Sequence, residues 1–304
     1  MRKIDTYQLK PEYIMGDTTN LLILKEKLEK DTLLLNEIEI DYNQNQNEYK
    51  KEYVDAKINH LKNKQLYYWL FLKRYFDQAL FSECSLFPDL QKEEMNKHGW
   101  VFPLSFINAR ITTPGGVNVT TEQLYIRNFD RLFDKLFGFN IVEENSRIDR
   151  YYKQAIFNYK NGCYYSCAVS LFPIIESYHQ YMNEFNDNEF YRIKDNLESI
   201  AVKVKDVTQI YVTRINYYVT LVKQFNDLAK NHYFRLSLDR QNEPEIINRN
   251  RIMHGLFSRE VSQKDCLQLF CVISNMVVIK SIIDANETMN QTIQELKKTQ
   301  EKAN

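Results

Sequence analysis

Seven glycines and six prolines in 304 residues leave few places where this chain can turn sharply or interrupt a helix. Such scarcity disfavours a turn-rich all-β fold and favours long helices. Apolar residues (44%) and charged residues (26%) stand at ordinary globular levels, so a real core is expected. Tyrosine is abundant, at 21 residues. Its apolar body and polar tip suit interfaces as well as cores. The fold class that follows is all-α.

Forty basic and forty acidic side chains balance. A nucleic-acid site on such a chain is therefore local rather than a general polyanion-binding surface. The five cysteines are an odd number without the dense spacing of a secreted framework, and read as reduced thiols. The N-terminal MRKIDTYQLKPEYIMGD lacks the apolar centre of a signal peptide. The apolar run Leu66–Leu72 ends at Lys73-Arg74, and no run is read as a membrane span. A soluble, cytoplasmic protein is expected.

Residues 1–140 read as an N-terminal helical arm with an irregular insert at 84–120, residues 141–290 as a helical domain, and residues 291–304 as a polar tail that frays. Within the arm, Leu21, Leu28, Leu35, Tyr42, Tyr49 and Ala56 share one heptad position. The companion position is poor, because Leu24 and Ile38 alternate with Asp31, Asn45 and Glu52. The run Asn43–Asn47 is either the turn of a helical hairpin or part of one long helix. Phe87-Pro88, Gly99–Pro103 and Thr113–Gly116 punctuate the insert. Thr120–Gln123 supplies a capping box for a helix to about Leu136, ended by Gly138. A helix from Ser146 closes at Asn161-Gly162, and a second spans Tyr164–Phe185, with Pro173 expected to kink it. Helices near 189–203 and 206–230 follow. Ser262–Asp265 caps the last one.

Asn248-Arg249-Asn250-Arg251-Ile252-Met253-His254-Gly255 is the stretch with chemistry in it. Histidine moves protons near neutral pH, and arginine holds phosphate oxygens in a planar fork. Spacing alone decides nothing, since an arginine followed four to six residues later by a histidine should arise by accident about 0.7 times in such a chain. Asn250 and His254 are four apart and share a helix face, so the amide can orient the imidazole or a substrate. Arg249 lies about 140° from His254 around an ideal helix. A straight helix does not converge them, which points to a bent arginine, a distorted helix or a site completed by a second protomer. In the structural alternative, Arg249 pairs with Glu243 or Glu245 and His254 caps the helix end. Arg251 either adds substrate affinity or is a solvated surface arginine.

The motif resembles the signature of the HEPN superfamily: an arginine, a polar residue, then a histidine after a short gap. Tyr159–Ala168, leading to Ile175-Glu176, is similar to that family's first helical hairpin, and the motif precedes the last core helix as it does there. The resemblance covers roughly residues 145–285, and Gly99–Pro103 matches more loosely. It implies a HEPN-like helical bundle, usually dimeric, acting as a metal-independent endoribonuclease of toxin or antiphage-defence type. His254 would serve as general base or acid at the 2′-hydroxyl and leaving oxygen, and Arg249 would hold the scissile phosphate. Asn250 would orient the imidazole or a phosphate oxygen, with Glu176 as an orienting group. RNA is then the expected substrate, with no cofactor or metal, and the N-terminal arm is where a regulatory or antitoxin partner would bind. The superfamily also holds inactive dimerisation and interaction modules, so fold alone does not decide activity.

Other signals are read as structural. Cys163 with Cys167, and Cys266 with Cys271, lack the further ligands of a tetrahedral metal site. His60, His98 and His232 stand without motif context, and His179 pairs with Glu176 at a spacing of three. Tyr49–Tyr53 is read as a solvated face.

Overall fold

The computed structural model describes residues 3–5, 18–83, 98–101, 121–137, 147–183, 218–219, 221–235, 245–256 and 259–303. Its helices begin with α1 (Thr18–Gln44), α2 (Gln46–Glu83), α3 (Thr121–Arg131), α4 (Phe133–Phe137) and α5 (Arg147–Lys160). They continue with α6 (Tyr164–Asn183), α7 (221–228), α8 (Arg249–Met253) and α9 (Gln263–Ala303). The protein is all-α, with no strand among the described residues. The sequence places helices near 189–203 and at the start of 206–230, but those stretches lie outside the described residues, as do Thr120, Gly138, Ser146 and most of the 84–120 insert.

Two compact units divide the chain, and they do not follow a linear boundary at residue 140. One comprises Met1–Leu80, Asn188–Arg214 and Ser281–Asn304; the other comprises Phe81–Asp187 and Ile215–Lys280. Helix α9 contributes its first part to the second unit and its last part to the first.

In the first unit the helical break falls at Asn45, inside the polar Asn43–Asn47 run, and α1 and α2 form the hairpin rather than one long helix. The rings of Tyr42 and Tyr53 stack with centroids 4.7 Å apart, and the Tyr53 hydroxyl donates to Glu39 Oε1 at 3.0 Å. Deeper in, Asn63 Nδ2 donates to Asp31 Oδ2 at 2.9 Å, and Lys27 Nζ lies 3.2 Å from Asp31 Oδ1. Within α1 the heptad position that looks poor in the sequence is buried: Leu24 and Ile38 are fully buried, and Asp31 lies between them at 6% exposure. A buried carboxylate is tolerated here because amide and ammonium partners satisfy it. The segment 3–5 seals the hairpin, with Ile4 packed on Ile38 and Ala56 and its carbonyl accepting from Asn59 Nδ2 at 2.8 Å.

The polar tail is helical to Ala303 instead of frayed. Thr292 and Thr299 are buried, and their hydroxyls donate to the carbonyls of Thr288 and Glu295, four residues back, at 2.7 and 2.8 Å. That local bond lets a polar side chain enter an apolar contact. Lys57 Nζ, 2.9 Å from Glu295 Oε1, ties this end to α2.

The second unit is built around Phe270 on α9. Phe133 meets its ring edge-on at 5.0 Å, Tyr152 at 5.6 Å and Tyr159 at 5.8 Å, while Phe137 stacks on it at 5.4 Å. Edge-to-face packing suits the ring quadrupoles. The buried phenols keep polar partners: Tyr152 donates to the Phe137 carbonyl and Tyr159 to Asp130, each at 2.8 Å. The helix expected to reach Leu136 is interrupted at Leu132, and α6 runs through Pro173 as one element. The Gly99-Trp100-Val101 segment belongs to this unit. Trp100 is 2% exposed against Phe129, and Gly99, at φ +86°, sits where a Cβ would come within 3.1 Å of Ile246 Cγ1.

Helix α9 starts at the expected capping box, with Asp265 in place of the usual glutamate: Ser262 N donates to Asp265 Oδ2 at 2.8 Å, and Asp265 N donates to Ser262 Oγ at 3.3 Å. Arg259 grips the same carboxylate with both Nη atoms, each at 2.7 Å. One feature of this helix corrects the sequence reading. Between Cys266 and Ile283 the only charged side chain is Lys280, and by length and composition Gln263–Glu301 could cross a membrane. Its most apolar window is 78% buried inside the chain, as a core helix is.

Candidate functional site

Asn248–Gly255 folds as one short helix with both ends built from its own residues. Asn248, extended at φ −122° and ψ 122°, is the N-cap: its side-chain oxygen accepts from Arg251 N at 3.0 Å. At the other end His254 is the C-cap, and Gly255 takes the left-handed conformation at φ +63°. Gly255 N donates to the Ile252 carbonyl at 3.1 Å and Leu256 N to the Arg251 carbonyl at 2.8 Å, the paired bonds of a Schellman motif. The same motif closes α5. Gly162, at φ +71°, donates to the Tyr159 carbonyl at 3.0 Å, and Cys163 to the Asn158 carbonyl at 2.9 Å. The expected Asn161-Gly162 stop is therefore present.

The element preceding the motif explains its two asparagines. After α7 the chain widens into a π turn, Ala229–Tyr233, closed by Phe234 N donating to the Ala229 carbonyl at 2.9 Å. A helix end leaves carbonyls without intrahelical donors, and the motif amides supply them. Asn248 Nδ2 donates to the His232 carbonyl and, at 3.0 Å, to that of Arg235. Asn250 Nδ2 donates to the Phe234 carbonyl at 2.9 Å. Sequence reasoning gave Asn248 no role. The signal for the cap was present, since asparagine is a favoured N-cap, but the clamp depends on a π turn that no local pattern announces.

Arg249 is one-third exposed and turns toward α6, where its Nη2 lies 3.4 Å from Glu176 Oε2. Its Nη1 donates to Asn250 Oδ1 at 3.4 Å. The motif and the upstream hairpin thus meet through the residues singled out in each, Arg249 and Glu176. Glu245 is not the partner of Arg249; it bonds His98 Nδ1 at 2.8 Å and lies 3.4 Å from Lys264 Nζ. Burial opposes ionisation of Glu245, but the His98 bond and the neighbouring charges outweigh it and lower its pKa. Glu243 lies outside the described residues.

Asn250 accepts from Arg249 and donates to the Phe234 carbonyl; the sequence reading gave its amide to the imidazole or to a substrate oxygen. His254 is exposed at the helix end, and its backbone N–H caps the Asn250 carbonyl at 3.1 Å. Arg251 departs from both of its sequence-based roles. At 3% exposure it is buried, with an Nη2 contact to the Leu256 carbonyl at 3.4 Å, and so is neither a surface arginine nor open to a substrate. It shares a helix side with Asn248, three residues earlier and equally buried.

His179, three residues after Glu176, stacks on Phe234 at 5.5 Å and meets Phe225 edge-on at 6.0 Å. Desolvation lowers its pKa, against an Asn226 hydrogen bond and the Glu176 charge. It acts as a packing group behind Glu176. Tyr165, not singled out in the sequence, donates its hydroxyl to the Ile252 carbonyl of α8 at 3.2 Å.

The result is a half-exposed guanidinium–carboxylate pair and, at the end of the same short helix, an exposed imidazole, with that helix clamped by the buried Asn248 and the half-buried Asn250. Such a set can bind an oxyanion and move a proton. Cys167, Cys266 and Cys271 are buried and Cys163 is exposed. Among the described residues no cluster of three histidine, cysteine or acidic side chains is placed to hold a metal ion. No protein-family model, curated protein or solved structure matches the chain.

Proposed function

We propose that the protein is an endoribonuclease of the HEPN type, working without a metal in a toxin or antiphage-defence role in the cytoplasm, as a homodimer. The observation that carries the proposal is the 3.4 Å approach of Arg249 to Glu176, which joins the two separately recognised segments. His254 lies at the open end of the same clamped helix. In the proposed reaction the RNA 2′-hydroxyl attacks phosphorus, the P–O5′ bond breaks and the 5′-oxygen takes up a proton. His254 serves one of the two proton transfers, and Arg249 holds the phosphoryl oxygens as charge builds on them. Glu176 and Asn250 aim the guanidinium, whose remaining N–H groups stay available to the phosphate.

A second reading rests on the same contacts. The motif amides bond backbone carbonyls and Arg249 bonds a carboxylate, so the segment also serves the fold. In that case the domain is an inactive HEPN-like dimerisation or interaction module that binds a protein or nucleic acid, with the N-terminal hairpin as its partner surface. Cleavage of total cellular RNA separates the two. If the enzyme reading holds, wild type yields 2′,3′-cyclic phosphate ends in EDTA, and Arg249→Ala and His254→Ala each abolish product and any growth toxicity. Both variants should unfold close to wild type, because a half-exposed ion pair contributes only about 0–1 kcal/mol. Intact RNA after incubation with wild type supports the interaction module.

A further inference from the structure

We infer that Tyr165 is a stacking platform for one nucleobase of a single-stranded RNA, on the same side of α6 as Glu176 and its partner Arg249. The inference deepens the ribonuclease reading and rests on it for the identity of the polyanion. Tyr165 is 53% exposed although its hydroxyl is fixed to the Ile252 carbonyl at 3.2 Å. A ring pinned at its tip and open on its body presents an apolar surface with little freedom left to lose on binding. Met253, the residue after that carbonyl, is also 53% exposed, and His254 beyond it is exposed. Gly162, in the turn three residues before Tyr165, has nothing within 4 Å of where a Cβ would stand, so the hairpin tip adds no wall.

Charge complementarity selects the occupant. The helix carrying the Ile252 carbonyl also carries Arg249, one-third exposed. Tyr165 lies eleven residues before Glu176 on α6, on the same side and about 16 Å along it, and Arg249 meets Glu176, so ring and guanidinium suit an extended ligand that alternates flat bases with phosphates. The bases must be unpaired to reach the ring, because a duplex keeps them in its own stack.

The test uses the intact chain with His254→Ala to prevent turnover, and fluorescence anisotropy of a short labelled oligouridylate. Adding Tyr165→Ala should weaken binding between about 5- and 150-fold, the range for loss of one base–aromatic stack. Tyr165→Phe and Tyr165→Trp, which keep a ring but lose the hydroxyl that pins it, should bind between the parent and Tyr165→Ala, and duplex RNA should not respond to Tyr165→Ala. Unchanged affinity in Tyr165→Ala, or no binding by the parent, overturns the platform. So does a dimer-to-monomer change in light scattering on Tyr165→Ala, which would assign this face to a second copy. Ring-dependent binding by a protein that cleaves nothing sinks the ribonuclease reading alone. Wild-type cleavage with KM unmoved by Tyr165→Ala sinks the platform alone.

Discussion

Replacing Asn248 with alanine removes three hydrogen bonds at once: the cap accepted from Arg251 N and the two donated to the His232 and Arg235 carbonyls. The cap alone is worth about 0.5–2 kcal/mol. A buried carbonyl left without its donor costs about 1–3 kcal/mol. Arg235 is exposed, so water can replace the amide there, and only the His232 carbonyl is counted. The sum is about 1.5–5 kcal/mol, for a side chain only 3% exposed. Asn248→Asp isolates the clamp. It keeps an acceptor for Arg251 N but aims a carboxylate at two carbonyls, and should be at least as destabilising as alanine. Trp69 lies in one compact unit and Trp100 in the other, and they are the chain's two tryptophans. Urea titration in a Trp69→Phe background therefore reports the motif-bearing unit through Trp100. An alanine variant within about 0.5 kcal/mol of its parent, the range of a neutral surface change, would refute the clamp. An aspartate variant as stable as its parent would show that the cap alone matters.

Asp265→Ala strips the α9 cap and orphans Arg259, whose guanidinium is held at 2.7 Å by both carboxylate oxygens. Because Arg259 is 31% exposed, the loss should lie near the lower end of the buried-pair range, about 3 kcal/mol, read by the same Trp100 titration. Stability should also fall on the acid side. Burial lowers the pKa of His60, His179 and His232, so the unfolded chain takes up protons more readily than the folded one. Their full contribution is present above the unfolded pKa of about 6.5 and is lost as pH drops through the folded values. Melting temperatures from pH 8 to 5 should decline, less steeply in His179→Phe, which keeps the stack on Phe234; a rise toward pH 5 would contradict this sign.

Much of the helical layout was legible. Helix stops at Asn161-Gly162 and Gly255 need a left-handed residue, and the Ser262–Asp265 box satisfies its own backbone donors. Both are local chemistry, written within a few residues. The pairing of Arg249 was not legible, because Glu176 is remote in sequence and competes on paper with Glu243 and Glu245. Arg251 shows the same limit: an arginine in a polar stretch reads as solvated until tertiary packing buries it. Asp31 misleads in the opposite direction, weakening a heptad whose buried face it occupies with Asn63 as partner.

By itself the sequence determined that the chain is helical, where several helices stop, and which short segment carries an arginine and a histidine. These follow from backbone sterics and side-chain period, which act over a few residues. Tertiary structure decided the rest: the hairpin at Asn45, the burial of Thr292 and Thr299 on the last helix, and the carboxylate that receives Arg249. It also decided that the motif's amides hold a π turn. Each of those depends on which distant groups remain unsatisfied until the chain packs, and only the packed chain supplies their partners.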